Sequence, residues 1–207
     1  MNDYVKKLGL ERHPEGGYYG EFYRSTDNVV PSSERYEGQA RATGTAIYYL
    51  LEHDDFSTFH RIKGDELWHY YDGTTPVYVH SIDEEGVFKT FLLGNPMMTE
   101  GASFTVTIRA GWWFCAELQD KTAFALMGCT VFPGFEFKDF EVANKEALVQ
   151  LCPEQEEIIS RMTREPLFEP SNINTIEPHV GTLSQPVSGE DEEKVTQMSS
   201  MPSSKGK

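Results

Sequence analysis

The stretch that decides the fold is Phe59–Gly73, with the sequence FHRIKGDELWHYYDG. It contains most of one β-rich run, Thr58–Ile62, and all of a second, Glu66–Tyr71. The residues between the two runs, Lys63-Gly64-Asp65, are typical of a tight turn. The sequence therefore predicts two strands joined by a short connection, and we expect them to line a pocket for a small molecule.

Alternation along these two strands places chemically useful side chains on one face. Since successive side chains of a strand point to opposite faces, His60 shares a face with Ile62, and Glu66 shares one with Trp68 and Tyr70. If both faces point inward, an imidazole and a carboxylate meet beside an indole. Such a group suits proton transfer, with a flat platform for the ligand. The alternative is a hydrogen-bonded core histidine, and spacing by itself does not separate the two.

The rest of the body follows the same β pattern. Short apolar runs alternate with turn signals rich in Gly, Asp, Asn and Pro, which favours an all-β sandwich or barrel over βαβ units. Including the two runs above, nine strands are predicted: Tyr18–Arg24, Thr43–Leu51, Thr58–Ile62, Glu66–Tyr71, Val77–Ile82, Val87–Leu92, Phe104–Ile108, Trp112–Ala116 and Thr122–Val131.

Helices are expected only near the two ends of this body. Asn2 or Asp3 is placed to cap a short N-terminal helix that ends at Gly9. Asn144–Leu151 has a helical pattern, and Pro153 opens a second C-terminal helix. We therefore expect one domain over residues 1–165. Residues 166–207, rich in Pro, Ser and Gly, are expected to be an extension that partly wraps the body and is largely disordered.

Composition excludes several classes of protein. The formal net charge of −15 over 207 residues disfavours nucleic-acid binding through a basic surface. No apolar run reaches the ~18 residues that a membrane span needs, and no export signal is recognised. The three cysteines have no C-x-x-C spacing, so they are expected to be buried and reduced. A cytoplasmic location is the default expectation.

The decisive stretch resembles the first cupin motif, which has a His, a second His two residues later, then a Glu and a Gly. Here His60, Ile62, Glu66 and Gly73 stand at those places, so the second His is replaced. The second cupin motif, of the type Pro-x-Gly-x-x-His, corresponds to residues 109–114. There the Gly is kept, and Phe114 replaces the ligand His.

A wider resemblance covers residues 4–165. The chain is similar to the uncharacterised cupin family five in Leu8-Gly9-Leu10, residues 13–18 (HPEGGY), residues 46–51 (AIYYLL), Phe59-His60-Arg61, residues 65–69 (DELWH) and residues 131–137 (VFPGFEF). The resemblance implies a mainly β fold, a cupin-type double-stranded β-helix or jelly-roll barrel, with a short N-terminal helix and one or two C-terminal helices. It also implies a homodimer and a reaction that is not assigned.

On this basis His60 and Glu66 are the candidate catalytic residues. The candidate ligand-binding residues are Trp68, Tyr48, Tyr70, Trp112, Phe114 and Glu15. Glu15 lies in the glycine turn, so a structural role is the simpler interpretation of that residue. No cofactor is expected, because His60 and Glu66 alone make a weak site for a divalent metal.

Three functions remain open at this point. The first is an acid–base enzyme, similar to an isomerase or epimerase, that acts on a sugar or nucleotide-like molecule. The second is a non-catalytic metabolite-binding protein that uses the same pocket. The third is a metal-dependent cupin enzyme. In each case the expected partners are a small-molecule ligand and a second copy of the chain, with no nucleic acid and no membrane.

Overall fold

A computed structural model describes residues 2–164 of the chain, which form antiparallel sheets with few helices. The strands, in chain order, are β1 (Glu11–Arg12), β2 (Tyr18–Arg24), β3 (Asn28–Val29), β4 (Arg41–Ala42), β5 (Thr45–Glu52), β6 (Phe56–Ile62), β7 (Asp65–Gly73), β8 (Val77–Ile82), β9 (Phe88–Leu93), β10 (Thr105–Ile108), β11 (Trp113–Leu118), β12 (Phe124–Phe132) and β13 (Phe140–Val142). All nine predicted strands are present, each with ends within two residues of the prediction.

Two large sheets make the body of the molecule. One has six strands in the order β1-β2-β5-β12-β7-β10, and the other has five in the order β13-β6-β11-β8-β9. The strands β3 and β4 form a separate two-stranded ribbon. The decisive stretch is therefore divided: its first strand, β6, belongs to the five-stranded sheet and its second, β7, to the six-stranded sheet. The mainly β fold expected from the sequence is confirmed.

The helices are short and lie near the two ends of the described chain. They are α1 (Asp3–Lys7), α2 (Lys145–Leu151) and α3 (Glu156–Met162), with three 3₁₀ turns at Glu34–Tyr36, Phe137–Asp139 and Pro153–Gln155. The Asn2 side chain caps α1 by accepting from the Tyr4 amide, and Asn144 caps α2 by accepting from the Ala147 amide. These caps satisfy amides that a helix leaves unpaired, so the polar residues at these positions set where the helices begin.

The main hydrophobic core lies between the two sheets. It is built from the inward-facing side chains of both sheets, with Trp68, Tyr49 and Phe114 as its largest fully buried members. Two smaller clusters lie on the outer faces. One covers the five-stranded sheet beneath α2 and α3 with Phe59, Ile82, Cys115, Leu148, Cys152, Ile159 and Met162, and the other places Val5 of α1 against Leu50 and Leu126.

The three cysteines are free and buried, as expected. Among the described residues, no helix has the length and apolar character that crossing a membrane requires. The predictions made for the extension at residues 166–207 lie outside the described residues.

Candidate functional site

A partly open cavity of about 100 Å³ lies between the two sheets. That volume exceeds the room needed by a single water molecule several times, so a small organic ligand fits. Its lining combines carboxyl, imidazole and aromatic groups from both sheets and from the segment before β13: His13, Glu15, Tyr19, Glu21, Arg24, Thr45, Ile47, Tyr49, His60, Ile62, Glu66, Cys129, Val131, Phe135, Glu136, Phe137 and Phe140.

His60 is held by both of its ring nitrogens. Its Nδ1 lies 2.8 Å from the backbone carbonyl oxygen of Thr58. Because a carbonyl oxygen only accepts, Nδ1 must carry a proton and donate it. The other ring nitrogen, Nε2, lies 3.2 Å from Oε2 of Glu15. Neither nitrogen is therefore free to contact a ligand, and the ring face packs against Phe114 at 4.0 Å between centroids.

The contact between His60 and Glu15 requires a proton. With Nδ1 already protonated, a neutral His60 presents a bare Nε2 to Oε2 of Glu15, and two acceptors would then face each other. A proton on either atom removes this repulsion. The two groups, which are 3% and 6% exposed, form a buried ion-pair contact. Through this pair, the Glu15 carboxyl is the group of the two that can exchange a proton with a ligand.

Glu15 is positioned by the turn that precedes β2. Its Oε1 accepts a hydrogen bond of 2.9 Å from the Ser57 hydroxyl, and its amide donates to Nδ1 of His13 at 3.3 Å. His13 is therefore an acceptor at Nδ1, which fits a neutral ring, and burial lowers the pKa of His13. A Cβ on Gly16 would meet the Phe56 carbonyl oxygen at 2.1 Å, so only glycine lets the turn approach β6 closely enough.

Glu66 is the second carboxyl group of the cavity, and it lies on β7. Burial, followed by the charge of Glu15, raises its pKa from 4.5 to about 8. The Cys129 thiol and the Trp68 indole are nearby and partly offset this rise. No cationic side chain pairs with Glu66 among the described residues. At neutral pH, Glu66 is consequently a neutral acid that can donate a proton into the cavity.

Arg24 lies at the mouth of the cavity with the carboxylates of Glu21 and Glu136. The guanidinium of Arg24 binds Glu21 through two hydrogen bonds, Nε to Oε1 at 2.9 Å and Nη2 to Oε2 at 2.8 Å. Its Nη1 donates to Glu136 at 3.1 Å. The Glu136 and Arg24 side chains are 40% and 26% exposed, which places this group nearer to solvent than the pair of Glu15 and His60.

Comparison with known proteins agrees with this architecture. The family model described as Cupin superfamily (DUF985) matches residues 2–143. The chain belongs to this cupin family. A hypothetical protein from Leishmania major has a similar structure, with 31% identity and a TM-score of 0.70 over 79% of this chain and 98% of that one. A protein from Shewanella oneidensis matches with 32% identity and a TM-score of 0.68 over 79% and 99%.

Weaker structural matches are also found. Oxalate decarboxylase from Bacillus subtilis matches with 14% identity and a TM-score of 0.42, over 78% of this chain and 41% of that one. A search of curated proteins returns no significant match. The comparisons therefore give this cupin a fold and a family, and they do not give it a reaction.

The residues of this cupin do not fit a divalent metal at the position of the cupin ligands. Ile62 lines the cavity where the first motif has its second His, and Phe114 packs on the ring of His60 where the second motif has its ligand His. Both nitrogens of His60 are engaged by protein oxygens. Among the described residues, no group of three or more His, Cys, Asp or Glu side chains is arranged to hold a metal ion.

The structure brings together three of the residues singled out from the sequence. His60, Glu66 and Glu15 all line the cavity. The carboxylate in contact with the His60 imidazole is Glu15, whereas the sequence analysis expected Glu66 to lie beside it. The contact between Glu15 and Ser57 also gives Ser57 a role that its position in the sequence does not indicate.

The five aromatic candidates lie outside the lining. Trp68 and Phe114 face inward as expected, but they lie in the apolar core, where Trp68 packs edge-on against Tyr49. Tyr70 and Trp112 pack against the same core, and Tyr70 donates to the Thr75 carbonyl at 3.3 Å. Tyr48 packs with the cluster under α1, on the opposite face of β5 from Tyr49. Their predicted role in ligand binding stays a prediction.

Other lining residues were not candidates in the sequence. The aromatic wall comes from Tyr19, Tyr49 and the segment Phe135–Phe140, and the mouth comes from Glu21 and Glu136. The signal that pointed to part of this lining was the family pattern itself, because its residues 131–137 include Phe135, Glu136 and Phe137. Those residues are far from β6 and β7 in sequence, and only the closed barrel makes them neighbours.

Proposed function

We propose that this cupin is an acid–base enzyme of the isomerase or epimerase type, in which Glu15 and Glu66 are the catalytic pair. The observation that carries the proposal is the placement of two buried carboxyl groups with different partners in one cavity. Burial raises the pKa of Glu66 to about 8, whereas Glu15 pairs with the His60 imidazole at 3.2 Å. Carboxyl groups whose environments drive their protonation states apart are suited to serve as acid and base.

In the proposed reaction, Glu15 removes a proton from a carbon next to a carbonyl group, while Glu66 donates its proton to the substrate. His60 stabilises the carboxylate of Glu15 through the contact between Nε2 and Oε2. His60 is thus a positioning residue, since its nitrogens are taken by Thr58 and Glu15. Tyr19, Tyr49 and the Phe137 ring supply flat apolar walls on which the carbon face of a sugar-like ring packs.

Hydrogen–deuterium exchange tests this proposal without knowledge of the product. The protein is incubated in D₂O with a panel of aldoses, ketoses and keto sugars, and mass spectrometry follows enzyme-dependent gain of one mass unit. We expect Glu66→Gln and Glu15→Gln to reduce the exchange at least about 100-fold, in line with general acid–base catalysis. Glu141→Gln is the matched control, because Glu141 forms an exposed ion pair with Arg61.

The same experiment decides against the proposal in two ways. Exchange that persists in Glu66→Gln would remove Glu66 from the mechanism. Saturable binding of a panel member without any exchange would favour the alternative, a non-catalytic metabolite-binding protein. The homodimer and the cytoplasmic location expected from the sequence remain part of the proposal, and they do not bear on the chemistry of the cavity.

A further inference from the structure

Arg24 is the only arginine or lysine among the described residues that line the cavity. A free guanidinium at the mouth of a pocket is a usual anchor for carboxylates and phosphates, because its N–H groups match their oxygens in pairs. Whether this cavity takes anions therefore depends on what the Arg24 side chain already contacts.

The donors of Arg24 are nearly all occupied by the protein. Glu21 accepts two hydrogen bonds in the paired geometry, and Glu136 accepts a third at 3.1 Å. The carbonyl oxygen of Phe135 accepts a further bond of 3.1 Å from Nη2. Four of the interactions that a guanidinium with five N–H donors can make are thus made within the chain. One N–H of Nη1 remains, so an anion could not bind Arg24 through paired hydrogen bonds without displacing a protein acceptor.

The charges around Arg24 also oppose an anion. Two carboxylates, Glu21 and Glu136, face one guanidinium, so the mouth has an excess of one negative charge. Glu21 is 6% exposed, so solvent screens its charge weakly. Further in, an anion meets the carboxyl groups of Glu15 and Glu66, neither of which has an arginine or lysine partner among the described residues.

We propose that Glu21 and Glu136 are specificity-determining residues that mask Arg24, so that the cavity rejects anions and takes an uncharged polyhydroxy molecule. The inference rests on the proposed function in that it names the substrate class of the same cavity. It excludes sugar phosphates, nucleotides and small carboxylic acids as ligands, and it retains free sugars and similar neutral compounds.

Titration calorimetry with inorganic phosphate and with malonate at pH 7 tests this assignment. The wild-type protein is expected to show no saturable binding of either anion. Glu136→Gln removes one of the two carboxylate charges beside Arg24, and we expect both anions to bind at least about tenfold more tightly than to the wild type. Glu21→Gln combined with Glu136→Gln is expected to strengthen binding further, and adding Arg24→Met is expected to abolish the gain.

Glu141→Gln is the control for net charge, since it removes the same charge from an exposed pair with Arg61. It should leave anion binding absent. Wild-type protein that binds phosphate as tightly as the double variant would overturn the proposal. So would a Glu136→Gln protein with native circular dichroism that gains no binding. Glu136 is 40% exposed in its side chain, so this variant is expected to fold even if Glu21→Gln does not.

These results are separable from those on the proposed function. Anion binding is measured without turnover, whereas the deuterium exchange is measured with neutral sugars. Phosphate binding to the wild type alongside exchange that depends on Glu15 and Glu66 would remove the assignment of Glu21 and Glu136 alone. Anion exclusion with no exchange would remove the reaction and keep the charge selectivity.

Discussion

Glu66 and Glu117 are two buried glutamates on the two faces of this barrel, and their surroundings shift them in opposite directions. Glu66 faces inward from β7 and is 7% exposed, and Glu117 faces outward from β11, beneath α3, and is 5% exposed. Burial raises the pKa of both groups when it acts alone. The difference between them therefore comes from their partners.

Glu117 is surrounded by cationic donors. Both of its oxygens are bound by the Arg161 guanidinium, one of them at 2.8 Å from Nη2, and Lys121 donates to it at 2.6 Å. His80 lies 3.3 Å from Oε1. Although burial opposes it, the hydrogen bonds from Arg161, then His80 and Lys121, hold the pKa of Glu117 well below its usual range. This carboxylate is ionised, and it fastens α3 to the sheet.

Among the described residues, no cationic side chain donates to Glu66, and its pKa rises to about 8. A buried carboxyl group without a cation costs stability as soon as it ionises. A protein retains such a group where it has chemical use, and a structural ion pair would have served packing better. Both glutamates are buried, so burial does not distinguish them. The cationic partners do: Glu117 has them and stabilises the fold, whereas Glu66 lacks them among the described residues and is a candidate catalytic acid.

The largest expected effect on stability comes from replacing Glu117. Glu117→Gln leaves the Arg161 guanidinium without its carboxylate. Because Arg161 and Lys121 are 52% and 37% exposed, solvent screens both contacts, and we expect the free energy of unfolding to fall by about 2–3 kcal/mol. For a domain of this size that corresponds to a decrease in Tm of about 4–12 °C. Urea unfolding and thermal melts measure it. Glu141→Gln, which breaks an exposed pair with Arg61, is expected to cost less than about 0.5 kcal/mol.

The loss in Glu117→Gln must also depend on pH. The pKa of Glu117 is depressed in the folded state, so its stabilisation is present above the unfolded pKa near 4.5 and is lost as the pH falls below it. The variant and the wild type should therefore converge in acid. Equal losses in stability at pH 7 and at pH 3 would mean that the ion pair is not the source of the effect.

The second prediction concerns Glu66, whose replacement is expected to raise the free energy of unfolding. Glu66 has a pKa of about 8 in the folded state and 4.5 as its ordinary value, so the unfolded chain releases this proton first as the pH rises. The group thus destabilises the fold progressively between about pH 4.5 and pH 8. Glu66→Gln removes this cost, and we expect it to stabilise the protein by about 2–3 kcal/mol at pH 7 and by almost nothing at pH 4.

Denaturant titrations across this range measure the effect of Glu66→Gln. Glu52→Gln serves as the comparison, since Glu52 is a partly buried carboxylate that accepts from the Asn2 amide at 3.0 Å. It should not stabilise the protein at pH 7. A Glu66→Gln protein that is less stable than the wild type at pH 7 would show that the Glu66 carboxylate is ionised and stabilised in the fold, contrary to the proposed acid.

The sequence predicted which side chains of β6 and β7 share a face, because alternation is local, and it left open which face points inward. In the structure His60, Glu66 and Trp68 face the interior. The sequence did not predict how deep each side chain lies, because depth depends on the tilt and closure of the barrel. Trp68 consequently belongs to the apolar core, while Glu66, two residues earlier, reaches the cavity.

Two other features of the cavity could not be predicted from the sequence, because they depend on the tertiary structure. Tyr48 and Tyr49 are adjacent, and a choice between them is a choice of face that the flanking sequence leaves open; the structure places Tyr49 at the cavity. Glu15 is separated from His60 by 45 positions, and their contact depends on the approach of Gly16 to the Phe56 carbonyl. The sequence therefore predicts the glycine turn that contains Glu15, but it does not predict that this turn packs against β6.

The smallest expected effect on stability comes from replacing one of the two cationic partners of Glu117, Lys121. Lys121 and Arg161 are 37% and 52% exposed in their side chains, so solvent screens both contacts with Glu117, but Arg161 binds both carboxylate oxygens. We expect Lys121→Met to lower the free energy of unfolding by about 0.5–1 kcal/mol, the range for a partly exposed pair. Arg161→Met should cost more, because it removes the bidentate donor and the tie to α3. Urea titration of the two variants measures both losses. If Lys121→Met proved as costly as Arg161→Met, Glu117 would be held by net positive charge alone, and the contrast with Glu66 would rest on charge and not on directed donors.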